Sequence, residues 1–499
     1  MRNVSFVVGV VLGAVAFSIP EAARADEKNV TDSAGLLAAI ASAKPGDVIT
    51  LQAGTYKLAG ANCTANGAAA NPITVTSATP LGATVELDGA EGFHVTGAHW
   101  HFEGLDVRGV CASDDACEHA FHVTGGEAEG FVLRRSRVRD FNAQLKVNAA
   151  PDGSGQYQMA NGGLVEFSEF SDTHARATGN PVTKLNIDGG AGWIVRGNYL
   201  HDFHKAGGNE ISYGAFMKSG GSGGVFERNL VVCEKDDKTG GIRIGLSFGG
   251  GGTGAQFCAP AFDPNVPCSV EHTGGVLRNN VITTCSDVGI YLNRAASTTV
   301  LHNTLIQTNG IDFRFDTTSG ESHANLLMGK VRMRDGGTFT TSDDLAEQPL
   351  DFFTALYTDA LGLDFTLKGD ATALQTAPPR ADLTDDYCAR TRPSANLAKG
   401  ALEHSLGDCD VTPPPEGTGT AGSTGTGGAT SSSAATTGSG GAASVGVGSS
   451  TTGGVDAKTA TEPGCGCVAV GGAPANGGRA AAIGLLGFAL VRGRRRRAP

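Results

Sequence analysis

Two basic residues, Lys218 and Arg243, lie in short segments where apolar and polar side chains alternate. Alternation with a period of two is typical of a half-buried strand. If the small and aliphatic side chains point inward, both basic side chains point outward. Residues 225–232 read as a return strand between the two segments, so one turn of a coil would bring the ammonium and guanidinium groups together on an external face.

A lysine beside a second cation is suited to removing a proton alpha to a carboxylate. The reaction needs a base within hydrogen-bond reach and a positive charge that stabilises the developing enolate. A lysine becomes such a base when nearby positive charge and partial burial lower its pKa. We therefore predict Lys218 and Arg243 as catalytic residues for such a proton abstraction.

Further polar residues occupy the outward positions of the strands that precede each repeat. Neighbouring coils lie about 4.8 Å apart, so these side chains would form a stripe along one face. A solvated face is the alternative, because lysine is a common residue on exposed β surfaces. The long loop 246–274 is predicted to wall a binding cleft beside the stripe. The predicted substrate-binding residues are Lys146, Lys184, Tyr291, Asn293, Arg314 and His204.

Two other sets of residues leave different chemistry open. Asp188, Asp312 and Asp316 could supply the paired carboxylates of a glycoside hydrolase, although spacing alone cannot pair them. His99 and His101 alternate along one strand and could ligate a metal ion. Because the sequence shows no third metal ligand beside them, a structural role is favoured for the two histidines.

The elements that would position these residues are loosely repeated units. Each unit has two or three apolar residues, a small polar residue and a further apolar residue, which fits stacked coils. The units are 131–141, 163–172, 193–203, 224–234, 275–285 and 299–308. Their polar column is predicted to be structural and contains Ser136, Ser168, Asn198, Asn229, Asn280 and Thr304. After about residue 335 the repeats fade, which predicts a last irregular coil and a terminal cap.

Composition narrows the class of protein. Seventy-four glycines indicate many tight turns, and the formal net charge of −12 argues against a nucleic-acid binder. Close spacing makes Cys111 with Cys117, Cys258 with Cys268, and Cys388 with Cys409 the expected disulfides. Of the remaining cysteines before the linker, Cys63, Cys233 and Cys285, at least one would stay unpaired.

The chain divides into four predicted regions. Residues 1–25 have the basic, apolar and small-residue parts of a secretory signal peptide. Residues 26–410 form the domain, and residues 411–463 form a Thr/Ser/Gly-rich linker too polar to build a core, hence disordered. Residues 464–499 combine a cysteine motif, a short hydrophobic stretch and an arginine cluster. We expect a secreted monomer that contacts a membrane only through this last segment.

The beginning of the domain resembles the amino-terminal cap of right-handed parallel β-helix proteins. The features that match are an amphipathic helix within 30–58, the turn 45–47, the GTY of 54–56 and the strand pattern of 72–89. The resemblance is strongest to polysaccharide lyases related to chondroitinase B. It implies an all-β, single-domain, right-handed parallel β-helix with a short N-terminal capping helix.

The central stretch resembles the catalytic region of family-six polysaccharide lyases, the alginate and dermatan lyases. The matching residues are Lys218-Ser219, Asn229 and Arg243-Ile244-Gly245. The resemblance implies that Lys218 removes the C5 proton of a uronic acid and that Arg243 assists departure of the glycosidic oxygen. It also implies calcium as a cofactor that neutralises the substrate carboxylate. Calcium prefers hard oxygen ligands, and the candidate ligands are Asn186, Asp188 and Glu210.

The C-terminal tail resembles the sorting tails of myxobacterial surface proteins. Its matching parts are Cys465-Gly466-Cys467, the apolar residues 480–491 and the arginines of 492–497. The resemblance implies attachment to the surface of a Gram-negative bacterium. Three hypotheses follow: a surface-anchored lyase of an acidic polysaccharide, a non-catalytic β-helix that binds glycan or another cell, and a hydrolase of acidic glycans.

Overall fold

The computed structural model of the chain describes residues 26–409 and 411. The predicted signal peptide, the linker beyond residue 411 and the tail lie outside the described residues. Within that range the α-helices are Ser33–Ala41 and Leu350–Leu356. Neither of these helices is long and apolar enough to cross a membrane.

Three long parallel sheets make up the domain, and the chain enters each in turn before starting the next coil. This topology is that of a right-handed parallel β-helix, as predicted. The twelve-stranded first sheet contains Glu27–Val30, Val48–Leu51, Ile73–Ser77, Trp100–Glu103, Val132–Arg134, Leu164–Glu166, Ile194–Arg196, Val225–Glu227, Val276–Arg278, Thr298–Leu301, Gly320–His323 and Thr340–Ser342. The ten-stranded second sheet contains Gly54–Leu58, Ala83–Leu87, Asp106–Gly109, Arg137–Arg139, Glu169–Ser171, Tyr199–His201, Leu230–Val232, Val281–Thr283, Thr304–Ile306 and Leu326–Leu327. The ten-stranded third sheet contains Ala61–Cys63, Glu91–Val95, His119–Thr124, Ala143–Asn148, Val182–Asp188, Ile211–Lys218, Ile242–Phe248, Ile290–Asn293, Gly310–Arg314 and Lys330–Arg334.

Smaller elements decorate the coils. Parallel strands Gly221–Ser222, His272–Thr273 and Ala295–Ala296 form a short fourth sheet. Antiparallel pairs join Ala150–Pro151 with Tyr157–Gln158, Tyr357–Asp359 with Asp364–Leu367, and Gln375–Ala377 with Leu397–Ala398. Short 3-10 helices are Asp114–Ala116, Gly126–Ala128, Ala255–Phe257, Thr372–Leu374 and His404–Leu406.

The core lies inside the coils, where side chains at the same register position stack from strand to strand. In the third sheet this column is fully buried and contains Phe93, Phe121, Leu145, Leu185, Ala215, Leu246 and Ile290. Burial of each large apolar side chain stabilises the fold by about 1.5–3 kcal/mol. Helix Ser33–Ala41 covers the first coil, with Leu36 and Ile40 in the same core.

A ladder of buried asparagines runs along one corner of the coils. Asn198 Nδ2 donates to Asn229 Oδ1 (3.1 Å), and Asn229 Nδ2 donates to Asn280 Oδ1 (2.9 Å). The ladder continues through Asn303 and Asn325. The prediction that Thr304 extends this column is therefore wrong, because its neighbour Asn303 has the amide that can both donate and accept.

The segment after residue 349 packs along the outer face of the second sheet. Phe353 and Tyr357 are buried in a cluster with Val232 and Ile306 from that sheet. The fading repeats predict a cap at the end of the solenoid. The structure shows that this part of the chain also turns back and covers one side of it.

The three predicted disulfides are present, and a fourth joins Cys233 to Cys285. Cys63 is buried and unpaired. Cys258–Cys268 closes the long loop after Ile242–Phe248. Cys233–Cys285 joins consecutive coils just beyond the second-sheet strands Leu230–Val232 and Val281–Thr283.

The outer face of the first sheet is a ladder of ion pairs. The pairs are Arg134–Glu103 (2.9 Å), Arg196–Glu166 (2.8 Å) and Arg278–Glu227 (2.6 Å). Opposite charges on adjacent strands neutralise one another there. The outer face of the third sheet is different in character, and it carries most of the predicted site residues.

Candidate functional site

Two lysines on the outer face of the third sheet share one carboxylate. Lys146 Nζ contacts Asp188 Oδ2 and donates to Asn186 Oδ1 at 3.1 Å. Lys218 Nζ lies 3.4 Å from Asp188 Oδ1. We call Lys146, Asn186, Asp188 and Lys218 the lysine cluster. The parallel register brings its members together, because Lys146 lies opposite Asn186 and Asp188 lies opposite Lys218.

The lysine cluster is largely shielded from water. The exposed fraction of the side chain is 8% for Lys146, 17% for Asp188 and 12% for Lys218. Burial alone would raise the pKa of Asp188, but Lys146 and Lys218 outweigh it and lower that pKa. Asp188 is therefore anionic at neutral pH, and the two ammonium groups leave the cluster with one net positive charge.

Lys218 is also held by its own strand and by the long loop. Its Nζ donates to Gly252 O (3.0 Å) and lies 4.8 Å from the ring centroid of Phe216. Glu271 anchors the same loop by accepting from Ser219 N (3.1 Å) and Thr253 N (2.7 Å). These contacts fix the direction of the Lys218 side chain.

Two insertions flank the lysine cluster at the carboxyl ends of its strands. The hairpin of Ala150–Pro151 and Tyr157–Gln158 follows the strand of Lys146. Loop 249–271 follows Ile242–Phe248, which is three strands further along the third sheet. Tyr157 and Phe262 stack with ring centroids 5.2 Å apart, so the two insertions touch. The long loop therefore borders the cluster, in agreement with its predicted position.

Three other predicted residues lie further along the same face. Tyr291 Oη accepts from Arg314 Nη1 (3.1 Å), and Arg314 Nε donates to Asp335 (2.5 Å). Asn293 Nδ2 donates to Gly250 O (2.7 Å), and Asn293 is buried. Lys146 and Arg314 are separated by five strand spacings, or about 24 Å. Part of the predicted stripe is therefore present on this face, and its members contact neighbouring residues.

Arg243 does not lie beside Lys218, which corrects the central prediction. The register pairs Arg243 with Ser212, so Arg243 and Lys218 lie at opposite ends of the strands, about 20 Å apart. The guanidinium is fully buried, with Nη1 2.6 Å from Glu234 Oε1 and Nη2 2.7 Å from Thr239 O. These contacts give Arg243 a structural role.

A bend in the strand explains why alternation misplaced Arg243. Leu246 is in the core, whereas Ile244, two residues earlier, joins an outer apolar cluster with Tyr213 and Tyr291. Gly245 lies between them, and a Cβ at this position would be 2.4 Å from Gly289 O. The close approach requires glycine, and the bend reverses the facing of the residues before it.

Two predicted binding residues also lie away from the stripe. Lys184 is fully buried, where its Nζ donates to Phe141 O (2.9 Å) and pairs with Asp172 (2.5 Å). His204 Nδ1 lies 2.9 Å from Asp237 Oδ2, beside the buried Arg243. The outward position predicted for Lys184 is wrong, because its side chain points to the corner between the second and third sheets. His204, predicted to flank a cleft, lies at the same corner.

The predicted calcium ligands do not form one site. Asn186 and Asp188 are neighbours, but their oxygens already contact Lys146 and Lys218. Glu210 precedes the strand Ile211–Lys218 and is therefore at its far end, about 26 Å from the position opposite Asp188. An ammonium group at each Asp188 oxygen opposes a second cation there. The residues present do not fit calcium.

The three aspartates predicted for a hydrolase do not form a carboxylate pair. Asp188 and Asp312 are four strand spacings apart, or about 19 Å, whereas glycosidases separate their carboxyl groups by about 5–9.5 Å. Asp312 is buried and accepts from Arg332 (2.6 Å) and Arg334 (2.5 Å). Asp316 lies beyond the end of the strand Gly310–Arg314.

Sequence reasoning missed a polar group next to the lysine cluster. Glu91 Oε1 lies 3.0 Å from His119 Nδ1, and Glu91 Oε2 lies 2.6 Å from His122 Nδ1. Burial opposes ionisation, but hydrogen bonds from the two histidines lower the pKa of Glu91 to about 2. The signal was an identical pentapeptide, FHVTG, at 93–97 and again at 121–125, which places histidines in register on consecutive coils.

Similar solved structures are polysaccharide lyases. Pectate lyase Pel9A has 14% identity and a TM-score of 0.47, with 73% of this chain and 90% of that chain covered. An alginate lyase from Paenibacillus sp. str. FPU-7 has 15% identity and a TM-score of 0.32, with coverage of 64% and 95%. A PL6 family polysaccharide lyase from Pseudopedobacter saltans has 11% identity and a TM-score of 0.34, with coverage of 64% and 92%.

Identities this low describe a likeness of fold alone, and the class defined by the fold is the right-handed parallel β-helix. No protein-family profile matches the chain. No curated protein matches it either.

Proposed function

We propose that the protein is a polysaccharide lyase that cleaves an acidic, uronic-acid-containing polysaccharide by β-elimination at the lysine cluster. The observation that carries the proposal is that Lys146 and Lys218 lie on either side of one carboxylate in a shielded site. A sugar carboxylate can replace or join Asp188 as the anion between two ammonium groups. The low local polarity strengthens each of these interactions.

The two lysines can divide the work of the reaction. Lys146 binds the sugar carboxylate and stabilises the enolate that develops on it. Lys218 acts after its ammonium group has released a proton to solvent, and the resulting neutral amine takes the proton from the carbon alpha to the carboxylate. The electron pair of that C–H bond forms the new carbon–carbon double bond. The glycosidic C–O bond at the beta carbon breaks, and the oxygen leaves with its electron pair and takes a proton from water.

We also propose that the reaction takes place outside the cytoplasm. The four disulfides support this, because such bonds persist in oxidising compartments. The signal-like N-terminus points the same way, and the tail resembling sorting sequences suggests attachment at the cell surface.

The test is an assay on alginate, dermatan and pectin that follows the ultraviolet absorbance of unsaturated uronates. Wild-type protein is expected to produce the signal on at least one of these polysaccharides. Lys218→Ala should lower kcat/KM by about 100-fold or more, as expected for loss of a general base. Lys146→Ala should raise KM as well as lower kcat.

The matched control is Lys57→Ala, which removes an exposed lysine on the second sheet. It should leave both kinetic parameters unchanged. Unaltered turnover in Lys218→Ala, on a substrate that the wild type cleaves, would remove the proposed base.

A second candidate function is glycan binding without cleavage. The observation that favours it is the ion pairing of both lysines with Asp188, since charged lysines bind carboxylates but do not accept protons. This function predicts saturable binding of one of the polysaccharides with no unsaturated product. Lys146→Ala and Lys218→Ala would then weaken binding to a similar degree.

A further inference from the structure

Glu91, His119 and His122 bring three metal-binding side chains together on the outer face of the third sheet. One donor atom from each can be chosen so that all three lie within 4.8 Å of one another. The exposed fraction of the side chain is 44% for Glu91 and 15% for each histidine, so an ion can reach them from solvent. Among the described residues, Glu91, His119 and His122 form the one group of three or more metal-binding side chains that lie close enough to share an ion. His99 and His101, the pair considered from the sequence, are not in this group.

A bend in the strands creates this arrangement. In a regular strand, residues three apart face opposite sides. In His119–Thr124, however, Ala120 and Phe121 are both fully buried, so His119 and His122 face outward together. The preceding coil bends in the same way, with Gly92 and Phe93 buried between Glu91 and His94. A Cβ at Gly92 would lie 2.4 Å from Ala120 O, which explains the glycine.

Each ring nitrogen of His122 faces an oxygen atom. His122 Nδ1 lies 2.6 Å from Glu91 Oε2, and His122 Nε2 lies 2.6 Å from Asn148 Oδ1. Asn148 Nδ2 donates to Ala149 O (3.3 Å), which fixes the amide with its oxygen toward the imidazole. A neutral imidazole has one N–H, so it cannot donate to both oxygens. An ion bound at Nδ1 would leave the single N–H at Nε2, where it meets Asn148 Oδ1.

We propose that Glu91, His119 and His122 bind one divalent transition-metal ion of the zinc type, and that Asn148 positions His122. Two imidazoles and a carboxylate are a known ligand set for Zn²⁺, and three protein ligands leave a fourth position for water or a substrate oxygen. Asn148 accepts from Nε2–H and thereby presents the lone pair of Nδ1 to the ion, as outer partners of metal-bound histidines do.

The metal site lies next to the lysine cluster. The register places His122 opposite Lys146, on adjacent strands about 4.8 Å apart. A sugar chain bound at the lysines would therefore extend over the ion. Metal binding itself needs no polysaccharide, so its test is independent of the proposed lyase activity.

The test is a Co²⁺ titration of the metal-stripped protein, followed by visible absorption, with Zn²⁺ competition and calorimetry. We expect one equivalent to bind and Zn²⁺ to displace it. His122→Ala and Glu91→Gln should abolish the absorption band. Asn148→Ala should weaken metal binding about 10–100-fold. Asn148→Asp keeps an acceptor toward Nε2 and should therefore bind the metal with an affinity near that of the wild type.

The matched control is His101→Gln, which changes a partly exposed histidine on the first sheet. It should bind one equivalent with unchanged affinity, and the far-ultraviolet circular dichroism of every variant should match the wild type. Two results would overturn the proposal. One is the absence of a saturable Co²⁺ band in the wild type. The other is an unchanged band in a folded His122→Ala.

Discussion

Asp188 holds the two lysines of the candidate site at a fixed separation. Each of its oxygens faces one ammonium group, Lys146 at Oδ2 and Lys218 at Oδ1. Without the carboxylate, two positive charges would lie close together in a shielded place, where repulsion is strong. The carboxylate is therefore a structural part of the site, and in the proposed reaction it would compete with the sugar acid for the two lysines.

Asp188→Asn should lower the free energy of unfolding by about 2 kcal/mol at pH 7, which is the usual size for loss of a charged hydrogen bond. The folded-state pKa of Asp188 is lowered, so its contribution is present above the unfolded pKa of about 3.9 and is lost as the pH falls through the folded pKa. The difference between wild type and variant should therefore shrink as the pH drops below about 4. Urea unfolding across this range measures it.

The control is Asp236→Asn, because 78% of that aspartate side chain is exposed. Its unfolding free energy should stay within about 0.5 kcal/mol of the wild type at each pH. A constant Asp188→Asn deficit from pH 7 to acid would contradict the role given to the carboxylate.

The asparagine ladder fixes the stacking of consecutive coils. Asn229 Nδ2 donates to Asn280 Oδ1 (2.9 Å) and to Val195 O (2.9 Å), and its Oδ1 accepts from Asn198. All of these groups are buried, so each would lose a partner if the amide were removed. The ladder therefore ties three neighbouring coils through one side chain.

Asn229→Ala should cost about 2–4 kcal/mol, since it leaves buried donors and acceptors on both neighbours unsatisfied. Urea unfolding at neutral pH is the measurement. Asn71→Ala, at an exposed asparagine, should change the midpoint little. If the two variants unfolded at the same urea concentration, the ladder would contribute nothing to stability.

The repeats were enough to predict the sheets, because β-branched and apolar residues recur with each coil and glycines separate them. Alternation was enough to place the residues of the lysine cluster on one face, because it holds in the second half of each third-sheet strand. The pairing of Lys218 with Arg243 failed for a physical reason. The bend at Gly245 reverses the facing of Arg243, and hydrophobicity gives no sign of a bend.

The register between neighbouring strands was the second feature that the sequence pattern did not predict. Lys218 ends its strand and Arg243 is near the start of the next, so correct strands still place them far apart. The histidines show the opposite case. Simple alternation would place His119 and His122 on opposite sides of the strand, which is not what the structure shows. The register, in contrast, could have been read from the sequence, because the repeated FHVTG aligns His94 with His122.

The three outer faces of the solenoid differ in what they carry or what covers them. The first sheet presents its own ion-pair ladder, and the second is covered by the segment after residue 349. The third carries the lysine cluster, flanked by the hairpin after Lys146 and the disulfide-closed loop 249–271. In the proposed function, a long acidic polysaccharide would run along this face, parallel to the solenoid axis, and contact successive coils.

The position of a bound sugar acid tests this account most directly. A crystal structure of Lys218→Ala with an oligouronate that the wild type cleaves should show a sugar carboxylate within hydrogen-bond distance of Lys146 Nζ. The carbon alpha to that carboxylate should face the space left by the Lys218 amine. A sugar bound instead beside Arg243 and His204, with the lysine cluster unchanged, would contradict the assignment of the site.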